Sequence, residues 1–514
     1  KLRNGALLPI RLDTGCFRRC ASRGSKQLQE RHVNRAREII NRSFIYAIGN
    51  ILRGIASFVM LPIYTRYLAP RDYGVIELIS VVLDLALLLL GARVAVGVYK
   101  FYSDANTEDA KRSVIATSLA LMIGVHALAV TVIIILNKPI ARLLDVSSDF
   151  GLALSVYSLS AVFAAANEVF FSYLKIRDRA VTYVIVNFVK LCLQLALNIV
   201  LVAYWQLNYW GVVWSAVISS AAMAAGFSVA LLPKLGLKVS RAYAQEMVRF
   251  SAPIVLASLA MYYITFSSRY FLEYFASVDA VGLYALANKF GVMIFTLVAV
   301  PFSDYWSARQ FDMAKAQGAD RLFGQVFFYL VVIMFGAGAG LLALVSDFVH
   351  MSATELYWSA LPAIPWIAGA YALQAWGDYF RFGFFYTSNN RYITYASFAT
   401  AVVITGLYVF WIPRDGVLGA GKASFVASLV RFLIVYFFGQ RFFGITVPWV
   451  RVFGCAAYFA GVVFAASLLP FSGTQALLAK GFFVSVFFVA FFFTPLIERE
   501  HRAILWRQIS PGTS

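Results

Sequence analysis

Acidic residues are scarce in this chain: 25 Asp and Glu stand against 44 Lys and Arg, and charged residues make up only 13% of its 514 positions. A soluble globule of that length needs far more polar surface, so a composition that is 61% hydrophobic, with a mean hydropathy of +0.74, excludes one. The chain reads as an all-α polytopic membrane protein. The net charge of +19 would point to nucleic acid in a soluble protein. Here it is a topology signal, and no nucleic-acid partner is expected. Cysteine is equally sparse. Cys16 and Cys20 in the N-terminal tail, with Cys192 and Cys455 in apolar stretches, form no paired clusters and have no neighbouring His set. They exclude a disulfide framework and a zinc site, and no metal or cofactor is expected. Long hydrophilic loops are missing too. Most connections run 6 to 18 residues, too short for a folded extramembrane catalytic domain, so the chain is not expected to be an enzyme.

What the sequence does hold is fourteen apolar spans of helical length, at 43–65, 74–97, 114–136, 149–173, 182–203, 212–233, 250–268, 282–305, 324–346, 361–380, 392–412, 418–439, 452–469 and 481–496. In lipid only helices satisfy every backbone hydrogen bond over such lengths, and the runs are too long for barrel strands. Of the 44 basic residues, 31 fall in the two tails and the even-numbered loops, 7 in the odd-numbered loops and 6 inside spans. Without the N-terminal tail the bias is still 20 to 7, so both termini are expected in the cytoplasm. The first forty residues are basic and lack an apolar core of signal-peptide length, and no Met occurs before Met60. Residues 1–30 read as a fragment or an over-extended start and are set aside from fold reasoning.

Laying APRDYGVIEL, from Ala69, on SVDAVGLYAL, from Ser277, brings Gly74 onto Gly282 at an offset of 208. Each copy follows the first span of a half, and the two copies share one topology. This predicts two six-helix lobes of like orientation, 43–233 and 244–440, with two appended helices at 448–496. Residues 1–42 are expected to form a disordered cytoplasmic tail and 497–514 a second one. The GAGAG run from Gly336 to Gly340 predicts a close helix-packing face or a flexible point.

The cations inside spans are Arg53, Arg93, Lys190, Lys289, Lys422 and Arg431. A lipid-facing cation near the bilayer centre costs roughly 2.5 to 3.5 kcal/mol on insertion scales, so these residues need partners or a wet cavity. Several lie on polar stripes at helical spacing. Span 1 carries Tyr46, Asn50, Arg53, Ser57 and Tyr64; span 5 carries Tyr183, Asn187, Lys190, Gln194 and Asn198. Span 7 carries Ser258, Tyr262, Thr265 and, just past its end, Arg269; span 10 carries Tyr371, Gln374, Asp378 and Arg381, and span 12 carries Ser428 and Arg431. Such stripes predict an aqueous cavity between helices, with interhelical hydrogen bonding as the plainer alternative. Arg93 and Lys422 sit near predicted ends and are expected to snorkel. Glu77, Asp84 and Asp378 are counter-ion candidates or candidates for ion coupling, as are Glu168 and Asp304.

The segment LPIYTRYLAPRDYG, Leu61 to Gly74, resembles the end of the first helix and the first loop of the Wzx-like oligosaccharide-lipid and polysaccharide flippases. These belong to the superfamily that also holds the multidrug and toxic-compound exporters and the lipid II flippase. GNILRGIASF, including Arg53, and KFYSDA, including Phe101 and Tyr102, fit the same pattern, as does the Gly282, Tyr284, Ala287 recurrence. Many relatives carry an Asp-Arg pair in span 7 where this chain has Ser268-Arg269, a departure that argues against coupling through an acid there. The resemblance implies a V-shaped bundle in the bacterial inner membrane that moves an undecaprenyl-diphosphate-linked oligosaccharide by alternating access. It also implies membrane lipids, a polymerase and glycosyltransferases as surroundings. The chemistry agrees: Arg53, Lys190, Arg269, Lys289 and Arg431 supply donors to a diphosphate, and Asn50, Asn187, Tyr262 and Gln374 supply contacts to sugar. The competing readings are a multidrug exporter of the same superfamily and a membrane polysaccharide polymerase or ligase. Cationic drugs call for acidic cavities, and such a polymerase needs a large outer loop with catalytic Arg and His.

Overall fold

A computed structural model describes residues 59–497, apart from 91–94, 145–147, 178, 237, 308, 388, 390 and 472. Asn50, Arg53 and Arg93 lie outside the described residues. Residues 59–67 are helical and end the first predicted span. The N-terminal lobe continues with α1 (Pro70–Leu89), α2 (Ala95–Asp104), α3 (Glu108–Leu143), α4 (Ser148–Ile176), α5 (Ala180–Asn198) and α6 (Asn208–Leu235). The second lobe holds α7 (Arg241–Phe275), α8 (Val278–Ile294), α9 (Val300–Ser307), α10 (Gln310–Met313), α11 (Ala319–Ser352), α12 (Ile364–Phe380), α13 (Phe382–Tyr386) and α14 (Arg391–Phe442). The appended pair is α15 (Trp449–Ser467) and α16 (Gly473–Phe491). Among the described residues there is no strand. Nine of these helices are long and apolar enough to cross a membrane, and the protein is a multi-pass membrane protein.

Local chemistry sets the helix starts. Pro70 stands at the first position of α1, and the Asp72 carboxylate accepts from the Ala69 N–H at 3.3 Å. The Thr107 and Ser277 hydroxyls cap α3 and α8 by accepting from Ala110 N at 3.2 Å and Ala280 N at 3.1 Å. Several boundaries differ from the sequence reading. Span 2 starts four residues early because of Pro70 and breaks after Leu89, with α2 carrying the chain on to Asp104. Span 7 does not stop at residue 268 but runs to Phe275, so Arg269 belongs to a helix and not to a loop. Spans 11 and 12 are joined without a loop: a single residue, Gly416 with φ +53°, turns the chain inside α14. Beyond that turn Lys422 pairs with Asp415 at 2.6 Å, where snorkelling to the membrane surface was expected. Span 5 ends in a π-helical segment, Ile199–Tyr204, and span 8 carries one in its interior, Phe295–Ala299, before α9 completes it.

Two hydrophobic cores explain the shape. One runs without interruption from α1, the end of α3 and the start of α4 into the whole second lobe, through residues such as Leu78, Leu154, Val281 and Phe290. The other belongs to the opposite end of the N-terminal lobe, through Val98, Val114, Phe170 and Phe227, and takes in Met247 from the start of α7. The lobes are thus fused at one end, whereas at the other the N-terminal lobe has a core of its own that takes in the start of α7.

The GAGAG run seats the appended helices. A side chain at Gly336 would strike the Phe488 ring of α16, so glycine there lets the ring pack directly on α11, whereas Gly338 and Gly340 have nothing nearer than 4.0 Å. Near the same interface Lys480 of α16 pairs with Asp347 of α11 at 2.6 Å, both side chains largely buried. The sequence reading starts span 14 at 481, one residue after Lys480; the helix start at Gly473 places Lys480 inside the bundle.

Candidate functional site

The fused end is a seam between α1 and α8. A Cβ added at Gly74 would lie 3.0 Å from the carbonyl carbon of Val278 and 3.1 Å from Gly282 N. One added at Gly282 would lie 2.8 Å from the carbonyl carbon of Pro70 and 2.9 Å from Gly74 N. Each partner of one contact is 208 residues from its partner in the other, so the closest approach of the lobes is symmetric in the sequence offset. Outside this crossing the chain is tied down further. The Tyr357 hydroxyl donates to Leu68 O at 3.1 Å, the Thr65 hydroxyl to Ser352 O at 3.2 Å, and Thr354 N to Thr65 O at 3.4 Å.

One turn below the glycines the seam becomes charged. Glu77 of α1 faces Arg269 of α7, with Oε2 and Nε 3.6 Å apart. Arg269 is only 3% exposed. Its guanidinium donates to Thr265 O at 3.0 Å and to the Ser268 hydroxyl at 3.1 Å, and it lies 5.2 Å from the Tyr284 ring centroid. Lys289 of α8 reaches across to the first lobe, its ammonium 5.4 Å from the Tyr64 ring and 5.2 Å from the Tyr73 ring. Glu77 also acts electrostatically on Lys289. Further along α1, the Tyr262 hydroxyl donates to Val81 O at 2.6 Å and meets the Tyr270 hydroxyl at 3.1 Å. Asp84 is exposed and acts on Tyr157, Tyr262 and Tyr270.

Behind Arg269, inside the second lobe, lies a polar cavity of about 90 Å³. Tyr284, Asn288, Tyr371, Gln374, Ser428 and Arg431 line it. The Tyr371 hydroxyl donates to Asn288 Oδ1 at 3.1 Å, and the Tyr284 and Tyr408 hydroxyls meet the Ser424 hydroxyl at 3.3 and 3.2 Å. Arg431 is 7% exposed and pairs with Asp378 Oδ1 at 3.5 Å, an oxygen that Arg381 also approaches, at 3.1 Å. A second polar cavity, of about 290 Å³, opens on the other side of Asp378 and includes Asp304, Gln310 and Arg381. An apolar cavity of about 520 Å³ separates α11 and α12 from α15.

The predicted residues therefore fall into groups. Arg269, Lys289, Glu77 and Tyr262 meet at the seam; Gln374, Arg431 and Asp378 meet inside the second lobe. Lys190 and Asn187 stand half-buried on α5. There the Asn187 amide donates to its own helix at Tyr183 O, while Tyr183 packs on Phe171 at 5.5 Å and Asn198 accepts from the Ser215 hydroxyl at 2.7 Å. Both ends of that stripe serve helix packing. Sequence reasoning missed Tyr73 and Tyr408. Tyr73 had a signal, standing beside the repeat glycine Gly74.

A family model described as polysaccharide biosynthesis protein matches residues 39–306, just over half of the chain. The chain belongs to this family. Its Wzx-like flippase signature and its exporter fold therefore agree. Among solved structures it is similar to the lipid II flippase MurJ in an inward closed conformation, with a TM-score of 0.67, 13% identity, and coverage of 88% of this chain and 98% of that one. It is also similar to a multidrug resistance MATE family transporter in an inward-facing conformation, with a TM-score of 0.61, 14% identity and coverage of 80% and 99%. The outward-facing form of a MATE family transporter gives a TM-score of 0.51 at 14% identity, with coverage of 82% and 96%. No curated protein sequence matches significantly.

Proposed function

We propose that this protein moves an undecaprenyl-diphosphate-linked oligosaccharide from the cytoplasmic to the periplasmic leaflet of the bacterial inner membrane by alternating access. The observation that carries the reading is the seam: two lobes joined at one end by glycine contacts and by a charge layer with two cations to one carboxylate. With both termini in the cytoplasm, the fused end is periplasmic and the lobes separate towards the cytoplasm, the state that admits cargo. A diphosphate cannot cross hydrocarbon, but guanidinium and ammonium groups replace its hydration in a low-dielectric cleft while the polyprenyl tail stays in lipid. Arg53, Lys190, Arg269, Lys289 and Arg431 supply those donors, Asn50, Asn187, Tyr262 and Gln374 contact sugar, and Asp84, Glu77 and Asp378 are the acids available for coupling. Residues 43–233 and 244–440 are the moving lobes, and 448–496 ride with the second. The glycan is made by glycosyltransferases and consumed by a polymerase of the same pathway.

Purified protein reconstituted into vesicles with a fluorescent lipid-linked oligosaccharide tests this directly. Cargo should become accessible to a membrane-impermeant quencher faster than in empty vesicles, and Ala at Arg53, Lys190 or Arg269 should slow it without loss of insertion. Vesicles that move no cargo, or three alanine variants as fast as the parent, refute the reading.

A further inference from the structure

The charged layer of the seam holds more hydrogen-bond donors than acceptors. The Lys289 ammonium makes no hydrogen bond and no ion pair among the described residues; two tyrosine rings are what it faces. The Tyr73 hydroxyl is buried without a partner, and so is Nε of Arg269, whose 3.6 Å approach to Glu77 is too long for a hydrogen bond. Arg269 and Glu77 both act on that Tyr73 hydroxyl, so the three unmet donors belong to one cluster. Charge is out of balance as well. Arg269 and Lys289 share the single carboxylate of Glu77, and residues 43–58, which precede Tyr64 on the first span, contain no Asp or Glu.

Buried donors left unmet, and a buried cation left uncompensated, both cost free energy that a protein ordinarily avoids. Water would satisfy the donors and leave the charge. A phosphate group satisfies both, because it is all acceptor oxygen and carries about two negative charges. The Glu77 side chain is 22% exposed, whereas that of Arg269 is 4% exposed. Lys289 is half-buried, so an anion reaches Glu77 and Lys289 before it reaches Arg269.

We propose that the seam is built one anion short, and that a phosphate or diphosphate group fills the vacancy through Lys289, Tyr73 and Arg269, displacing Glu77 from Arg269 and releasing the lobes. This rests on the flippase reading, and it makes the cargo's own head group the trigger for opening the far side. Glu77 is then a placeholder: it holds the lobes together until a better acceptor arrives.

The test uses full-length protein in nanodiscs, with the four natural cysteines replaced and a new pair introduced as Thr65→Cys and Thr354→Cys across the seam. The rate of oxidative cross-linking reports closure. A long-chain polyprenyl diphosphate should slow cross-linking about tenfold, inorganic pyrophosphate should do so only at higher concentration, and the matching polyprenyl alcohol should have no effect. Lys289→Met should ignore the diphosphate, whereas Lys289→Arg should respond. Glu77→Gln should cross-link slowly without ligand and slow no further, with Glu77→Asp as the milder variant should Glu77→Gln fail to fold. Lipid diphosphate that binds, by quenching of tryptophan fluorescence, yet leaves the cross-linking rate unchanged overturns the displacement while the flippase reading stands. Absence of any binding sinks the flippase reading itself. Slowing by the alcohol, or by pyrophosphate alone, assigns the effect to the tail or to a free anion and overturns the role of the cargo.

Discussion

Replacing Gly74 by Ala should open the fused end. The added Cβ would sit 3.0 Å from the Val278 carbonyl carbon and 3.1 Å from Gly282 N, with the Val278 oxygen nearer still. The Val278 oxygen sets the displacement: a carbon–oxygen contact rests at roughly 3.3 Å, so α1 and α8 must part by more than about an ångström. The obstacle is backbone on both sides, and no side chain can rotate away. Overpacking of this kind costs about 1 to 3 kcal/mol. Since the cost falls only on the closed arrangement, it shifts the closed-to-open ratio by roughly 5- to 150-fold. The Thr65→Cys and Thr354→Cys pair reads that ratio, because Thr354 N lies 3.4 Å from Thr65 O. Cross-linking in the Gly74→Ala variant should fall by about tenfold or more. Gly282→Ala should do the same, since its Cβ meets the symmetric backbone of Pro70. The double variant should fall by less than the product of the two, because helices already parted by one methyl have room for the other. Parental cross-linking in both single variants would refute the glycine crossing as the contact that closes this end.

Lys480→Met should lower the melting temperature of the purified protein, because Asp347 loses a 2.6 Å partner in a largely buried site, a loss on the order of 3 kcal/mol; adding Asp347→Leu should restore it, and an unchanged melt refutes the staple. Arg431→Ala should destabilise the second lobe by less, since Arg381 still neutralises Asp378, and differential scanning fluorimetry with no shift would contradict the pair. A cysteine near Asn208 should react with an impermeant thiol reagent in intact cells while one near Gly236 does not; the reverse pattern would invert the topology. Asp84→Asn should abolish any dependence of transport on an ion gradient, measured in vesicles with and without one, and a retained dependence removes Asp84 from coupling.

The helices were legible because their apolar runs leave no other structure possible in lipid, and Gly74 and Gly282 stood out because a two-residue identity at a fixed offset marked both, although an offset says nothing of whether the two copies touch. What stayed hidden was depth and pairing. Arg269 read as lying past a helix end, since the polar run from Thr265 to Arg269 looks like an interface; the partner that keeps it inside, Glu77, is 192 positions away in sequence. Lys480 failed in the same way, with its counter-ion on a helix more than a hundred residues earlier. The stripe on α5 was visible as a stripe, yet periodicity cannot tell a face that lines water from one that bonds to a neighbouring helix, and Tyr183 and Asn198 both pack. Gly416 was placed in a five-residue loop, because a one-residue reversal between two spans leaves no polar segment to mark it.

The pairing of the acids bears on what drives the cycle. Asp378 lies between two guanidinium groups, and Glu77 serves both Arg269 and Lys289. At either acid a metal cation would join a cluster that is already positive. Repulsion between two unit charges about 4 Å apart amounts to roughly 4 kcal/mol at an effective dielectric of 20, so such a site binds cations poorly. The same surplus that repels a cation attracts an anion, as the diphosphate of the proposed cargo is. Asp84 acts on Tyr157, Tyr262 and Tyr270 further along α1, where the Tyr262 bond to Val81 ties the lobes together.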